Sequence, residues 1–210
     1  MLHAVLTGIP LTLGVTAAAL IIGTLVSLPL LACTLSGNRL LWLGARMVID
    51  LLRGVPIVVW LFIFYYGVTL GSAKLSAFGA AVLGLGLVSG AYLAEIFRGA
   101  VSSVSAGQFE AGRALGMTSR GLWADIIAPQ AWRVALPGYT TYGIGLLKDS
   151  SIASTIGVAE MVFQAGNFAR TTGNGIVVFL LAAAVYILVS VPVGILSRRV
   201  DERMSAVVAR

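Results

Sequence analysis

The sequence predicts an all-α membrane protein with five crossing helices, its N-terminus outside and its C-terminus in the cytoplasm. Three observations carry this: an apolar composition, five apolar stretches of crossing length, and arginines gathered on one side of them. Of the 210 residues, 59% are hydrophobic and 10% charged, against about a quarter charged in ordinary soluble domains.

The first helix is expected over 9–32. No Lys, Arg, Asp or Glu occurs from Met1 to Asn38, and about 20 apolar residues suffice to cross a bilayer. A cleaved signal peptide would put a basic region before a short apolar core, so this helix is read as retained. Four more apolar stretches follow at 47–68, 78–97, 134–156 and 176–196. Glycines are frequent in the third, where Gly86 and Gly90 form a GxxxG pair. Small residues let helices approach closely in lipid, and packing within one bundle is preferred to a dedicated dimer seam. The whole chain, 1–210, reads as one transmembrane domain without internal repeats.

Orientation follows from the bias of Lys and Arg toward cytoplasmic loops. Ten of the 14 fall on one side: Arg39, Arg46, Arg98, Arg113, Arg120, Arg133, Arg198, Arg199, Arg203 and Arg210. Lys74 and Arg170 fall on the other, while Arg53 and Lys148 lie within or at the edge of apolar stretches. The net charge of +6 is thus explained by topology rather than by nucleic acid. Trp42 and Trp132 sit at expected membrane boundaries, where tryptophan is favoured. With Cys33 the single cysteine and His3 the single histidine, an intrachain disulfide, a Cys-pair metal site and histidine catalysis are excluded.

The long cytoplasmic stretch, 99–133, is expected to hold a helix pair. Ser105, Gly107 and Gln108 read as a turn before a helix from Phe109 to Leu115, closed by Gly116, since glycine accepts the left-handed geometry of a helix end. Ser119 is expected to cap a second amphipathic piece, with Leu122, Ile126 and Ile127 on one face, that stops at Pro129. Glu110-Ala111-Gly112, Gly116, Ile127 and Pro129 resemble the EAA loop of permease subunits in bacterial ATP-binding-cassette importers. Gly112 stands where that motif usually has alanine, a change that lowers helix propensity by about 1 kcal/mol and adds no bulk.

Other segments narrow the resemblance: Arg53-Gly54-Val55-Pro56 before Phe64-Tyr65-Tyr66-Gly67, then Tyr92 to Gly99, Leu136-Pro137, and Leu147 to Ile152. Together they are similar to the polar-amino-acid uptake permeases, the group importing histidine, glutamine, glutamate or arginine. The resemblance implies a non-catalytic subunit in a bacterial cytoplasmic membrane. It also implies a second permease chain, identical or paralogous, two copies of an ATP-binding subunit, and an extracytoplasmic solute-binding protein. It implies that the 110–116 loop couples to the ATPase, with Glu110 and Arg113 as polar contacts, Ala111 and Leu115 on the face buried there, Gly112 between them and Gly116 as the turn. The chain has no GxxxxGK[ST] phosphate loop, so ATP and Mg belong to the partner and no cofactor is expected here. A channel or secondary transporter needing no ATPase is the alternative; five helices without an inverted repeat or a buried proton relay argue against it.

Charges in membrane segments are costly and usually paired or functional. Asp50 with Arg53, and Glu95 with Arg98, are three apart and expected to pair on one helix face. Lys148 and Asp149 are expected to lie deep, after Gly143 and Gly145, which can loosen the helix. Asp149, Ser150, Ser151, Glu160 and Gln164 are the candidate substrate path for a zwitterionic amino acid.

Overall fold

The computed structural model describes residues 1–70 and 73–208; Arg210 lies outside them. The fold is almost wholly helical. A short α1 (Leu2–Leu6) precedes α2 (Ile9–Thr34), α3 (Arg39–Gly54) and α4 (Ile57–Gly67). A two-residue hairpin, β1 (Thr69–Leu70) and β2 (Ala73–Lys74), pairs Thr69 with Lys74 and Leu70 with Ala73. Then come α5 (Ala77–Ser102), α6 (Ala106–Ala114), α7 (Ser119–Gly121), a π-helical turn Leu122–Ile127 and α8 (Ala128–Asp149). A 3₁₀ segment Ser150–Ile156, α9 (Met161–Thr172) and α10 (Gly175–Val208) complete the chain.

Among the described residues three stretches are long and apolar enough to cross a membrane: Leu2–Thr34, Ala77–Ser102 and Gly175–Ile195. Two of the expected crossings take another form. The stretch expected as one helix over 47–68 is two helices, α3 and α4, bent by 98°. Pro56 is the cause: it has no N–H to continue the ladder, and it drives Val55 to extended backbone (φ −97, ψ 134). The stretch expected over 134–156 begins earlier, at Ala128, and turns 3₁₀ at Ser150. It stays α-helical through Gly143 and Gly145, so those glycines do not loosen it. Between the stretches expected to cross at 134–156 and 176–196 lies the 12-residue α9.

Helix α5 is the centre of the bundle. Two thirds of its most apolar stretch (67%) is buried, against 22% for α2 and 17% for α10. Its main partner is α2, and the seam between them is built of small residues. A Cβ on Gly86 would lie 2.8 Å from Cγ2 of Ile22, and one on Gly90 2.6 Å from Cγ1 of Val26. The GxxxG pair therefore packs inside the chain, as expected. From the other side Gly23 abuts Ser89 and the backbone of Gly86 and Gly90. Lipid supplies no hydrophobic force between helices, so close packing must hold them. Polar groups in this region are satisfied locally: Ser27 donates to the Thr24 carbonyl at 2.7 Å, and Thr24 meets the Tyr139 hydroxyl at 3.0 Å.

Gly23→Ala should consequently lower the thermal unfolding temperature of the detergent-purified protein. Its methyl runs into Ser89 Cβ and, at 3.2 Å, into backbone atoms of α5 that cannot rotate away; such overpacking costs about 1–3 kcal/mol. Gly37→Ala, at a position open to 4 Å, should leave that temperature unchanged. Equal effects of the two would mean that the seam is slack.

Candidate functional site

The loop after α5 folds into a bracket of two short helices. Ser105 starts α6 at Ala106, so Gly107 and Gln108, expected in a turn, are helical. At the other end Gly116 takes φ +72. The Gly116 N–H donates to Arg113 O and the Met117 N–H to Gly112 O, both at 3.0 Å. This pair of bonds is a complete Schellman closure, the geometry for which glycine is favoured. The following helix is capped by Thr118, whose hydroxyl accepts from Gly121 N at 3.2 Å, and not by the neighbouring Ser119. Pro129 does not stop it. It stands in the first turn of α8, and the π turn before it joins directly to that helix.

What faces inward and what faces outward differ sharply. Gly112 is the buried residue of α6, and a Cβ there would lie 2.5 Å from Leu122 Cδ1. The glycine at this motif position is thus matched to Leu122; alanine would add bulk that Leu122 must yield to. Leu122 and Ile127 are buried in a cluster with Leu93, Phe97 and Val101 of α5, and the Phe109 ring meets Trp123 edge-on at 6.1 Å. Glu110, Ala111, Arg113 and Gly116 are exposed, and Leu115 is 80% exposed. The bracket therefore holds an outward ridge with a large apolar side chain at its tip.

Of the two expected ion pairs, one forms. Arg98 Nη2 meets Glu95 Oε2 at 2.9 Å, but Glu95 also takes Arg46 Nη1 at 2.8 Å, a partner on α3 that spacing along one helix cannot reveal. Asp50 and Arg53 do not pair. Asp50 is 4.0 Å from Arg46, and the Arg53 guanidinium lies 4.8 Å over the Tyr92 ring, where the ring face attracts a cation. Trp42 and Trp132 are both exposed.

The five substrate-path residues are dispersed. Asp149 ends α8, half-buried. Ser150 is buried and donates to the Leu147 carbonyl at 2.7 Å. Ser151 and Lys148 line a cavity of about 280 Å³ with Val162, Phe179 and Tyr186. Gln164 is half-buried and reaches the Ala159 carbonyl at 3.5 Å. Glu160 is wholly buried and committed to structure. It caps α9, accepting from Phe163 N at 2.7 Å and Val162 N at 2.9 Å, and the Tyr186 hydroxyl of α10 donates to it at 2.9 Å. Burial pushes its carboxyl above the usual range, against the pull of those donors. The S/T/D/N rule for caps hides Glu160 from a sequence reading.

Comparison with known proteins finds relatives along most of the chain. A family described as "Binding-protein-dependent transport system inner membrane component" matches residues 19–206. The chain is 38% identical over 200 residues to the probable amino-acid permease protein YxeN of Bacillus subtilis, covering 94% of this chain and 89% of the relative. It is 33% identical over 187 residues to the arginine ABC transporter permease protein ArtQ of Haemophilus influenzae, covering 86% and 84%. A solved amino acid ABC transporter determined with histidines contains a chain 32% identical, with a TM-score of 0.88 over 96% of this chain and 94% of that one.

Proposed function

Since this chain belongs to the binding-protein-dependent transport system inner membrane components, and is the permease subunit of an ATP-binding-cassette importer, we propose that its cargo is a polar amino acid. The cargo reading draws on the relatives, whose names specify amino acids and, in one case, arginine. The family implies an ATPase subunit and a solute-binding protein as partners. In our reading there are two ATPase copies and a second permease chain, in a bacterial cytoplasmic membrane.

The ridge Glu110–Gly116 is the dock for the ATPase. The observation that carries this is Leu115 standing 80% exposed on a bracket fixed from beneath by Gly112 and Leu122. Burying that leucine in a partner's groove would contribute about 1.5–3 kcal/mol that the free helix pair forgoes. Closure of the nucleotide sites then pushes on a rigid body, which suits transmission to the helices.

The reading keeps five crossings with the N-terminus outside. The elbow α3–α4 supplies the second and α8 the fourth; 22 residues span about 33 Å, enough for the hydrocarbon core. The elbow is apolar enough to cross only as a pair, and α8 is the more polar helix, with Gln130, Arg133, Thr140 and Thr141 along it. Substrate passes Asp149, Ser151 and Gln164, with Lys148 beside them; Ser150 and Glu160 support that path structurally.

Tagged chain purified from native membranes should retain an ATPase, and the complex in proteoliposomes should take up labelled amino acids only with ATP. Competition by unlabelled amino acids should rank polar ones first. Uptake without an ATPase would point to the channel alternative, and competition by sugars alone would remove the amino-acid reading.

A further inference from the structure

Glu95 joins arginines from two helices. One carboxylate oxygen accepts from Arg46 of α3 at 2.8 Å and the other from Arg98 of α5 at 2.9 Å, with the Glu95 side chain only 18% exposed. Seven residues along α3, on the same face, Arg53 sits over Tyr92 of α5. Between the two arginines Ile49 and Leu52 are buried against Ala91 and Ala94. Tyr92 in turn stacks on Tyr142 of α8 at 5.6 Å, and Tyr142 donates to Ser89 at 2.9 Å. Helix α3 is thus tied to α5 at both ends of a short buried stripe. Its last turn leads into the 98° elbow that carries α4, while Arg98 lies one turn before the end of α5, where the bracket begins.

The stripe alone is a weak attachment. Leu43, Met47, Val48 and Leu51 of α3 are exposed, and apolar contact brings little association in lipid. A charge-assisted, two-sided hydrogen bond is stronger and directional, and removing one partner strands a part-buried charge.

We infer that Glu95 is a positioning residue for transport: through Arg46 it makes α3, and so the elbow and α4, follow α5 when the bracket is moved. This rests on the reading of the bracket as the ATPase dock. Without the tie, α5 moves under a stationary α3, and ATP is hydrolysed without opening the path in step.

The test is the amount of labelled substrate moved per ATP hydrolysed by the complete complex in proteoliposomes. Glu95→Gln and Arg46→Gln should each lower that ratio about tenfold, within the range by which single residues alter coupling. ATP hydrolysis should stay within about twofold and the ATPase should still co-purify. Arg98→Gln, which removes only the pair within α5, should stay within about threefold of the original ratio, and Arg46→Lys should restore most of it. A normal ratio in Arg46→Gln, or hydrolysis falling in proportion to uptake, overturns the inference. If Glu95→Gln fails to assemble, the contrast of Arg46→Gln with Arg46→Lys decides. Failure of the docking reading is seen separately, as an ATPase that stays bound when the ridge itself is altered.

Discussion

Leu115→Asp is expected to abolish uptake and to release the ATPase from the purified complex, while the permease remains folded. The side chain is 80% exposed at the end of α6, and α6 is closed by backbone bonds to Gly112 and Arg113 that do not involve it. The free chain therefore loses little, about 0.3–1 kcal/mol for a negative charge at a helix C-terminus. In a docked complex a buried leucine contributes about 1.5–3 kcal/mol, and a carboxylate in its place adds a desolvation cost of at least about 1–3 kcal/mol. The combined loss corresponds to roughly two to four orders of magnitude in affinity. Leu115→Met, similar in volume and flexible, should retain most of the affinity. Co-purification of the ATPase with tagged permease, alongside the permease's own thermal unfolding, measures both halves. An ATPase that stays attached to the aspartate variant would place the dock elsewhere.

Glu160→Ala should be the most destabilising change around the start of α9. It leaves the amides of Val162 and Phe163 without their cap and the Tyr186 hydroxyl without its acceptor, three part-buried donors around a fully buried side chain. A lost cap costs about 1 kcal/mol and a stranded buried donor about 1–3 kcal/mol. At roughly 2–4 °C per kcal/mol for a chain of this size, unfolding in detergent should come about 5–15 °C earlier. Glu160→Gln keeps one oxygen and should lose less than half as much. Uptake should fall with stability in both variants. If Glu160→Gln unfolds normally yet transports nothing, the carboxylate contacts substrate after all.

The parts of the fold legible in the sequence are those a single segment dictates. The start of α2, the packing of the glycine-rich helix within the bundle and the turn at Gly116 all follow from local composition or from one residue's backbone freedom. The elbow at Val55–Pro56 was readable too, since proline forces its predecessor out of the helix; the hydropathy of the whole stretch hides it. What could not be read are partners chosen across helices. Glu95 takes Arg46 from 49 positions away, and Arg53 prefers the face of Tyr92 to the nearer Asp50. At the candidate site, the bracket's motif was visible, whereas the burial of Gly112 against Leu122 depends on a packing that no spacing encodes. Glu160 looked available for substrate because its tyrosine partner lies 26 residues on.

The π turn gives the loop a fixed phase. Leu122 and Ile127 are both buried although five residues separate them. In a regular α-helix, at about 100° per residue, they would point about 140° apart. The wider turn brings them back to one side and leaves Ile127 in step with Ala131 and Ala135 along α8. The turn thus takes up one extra residue without changing the phase on either side of it. In a regular helix one residue shorter between Gly121 and Ala128, Leu122 and Ile127 would be four apart, about 40° from each other, and still on one side. The ridge would keep its direction relative to α8 and only move closer to it along the axis.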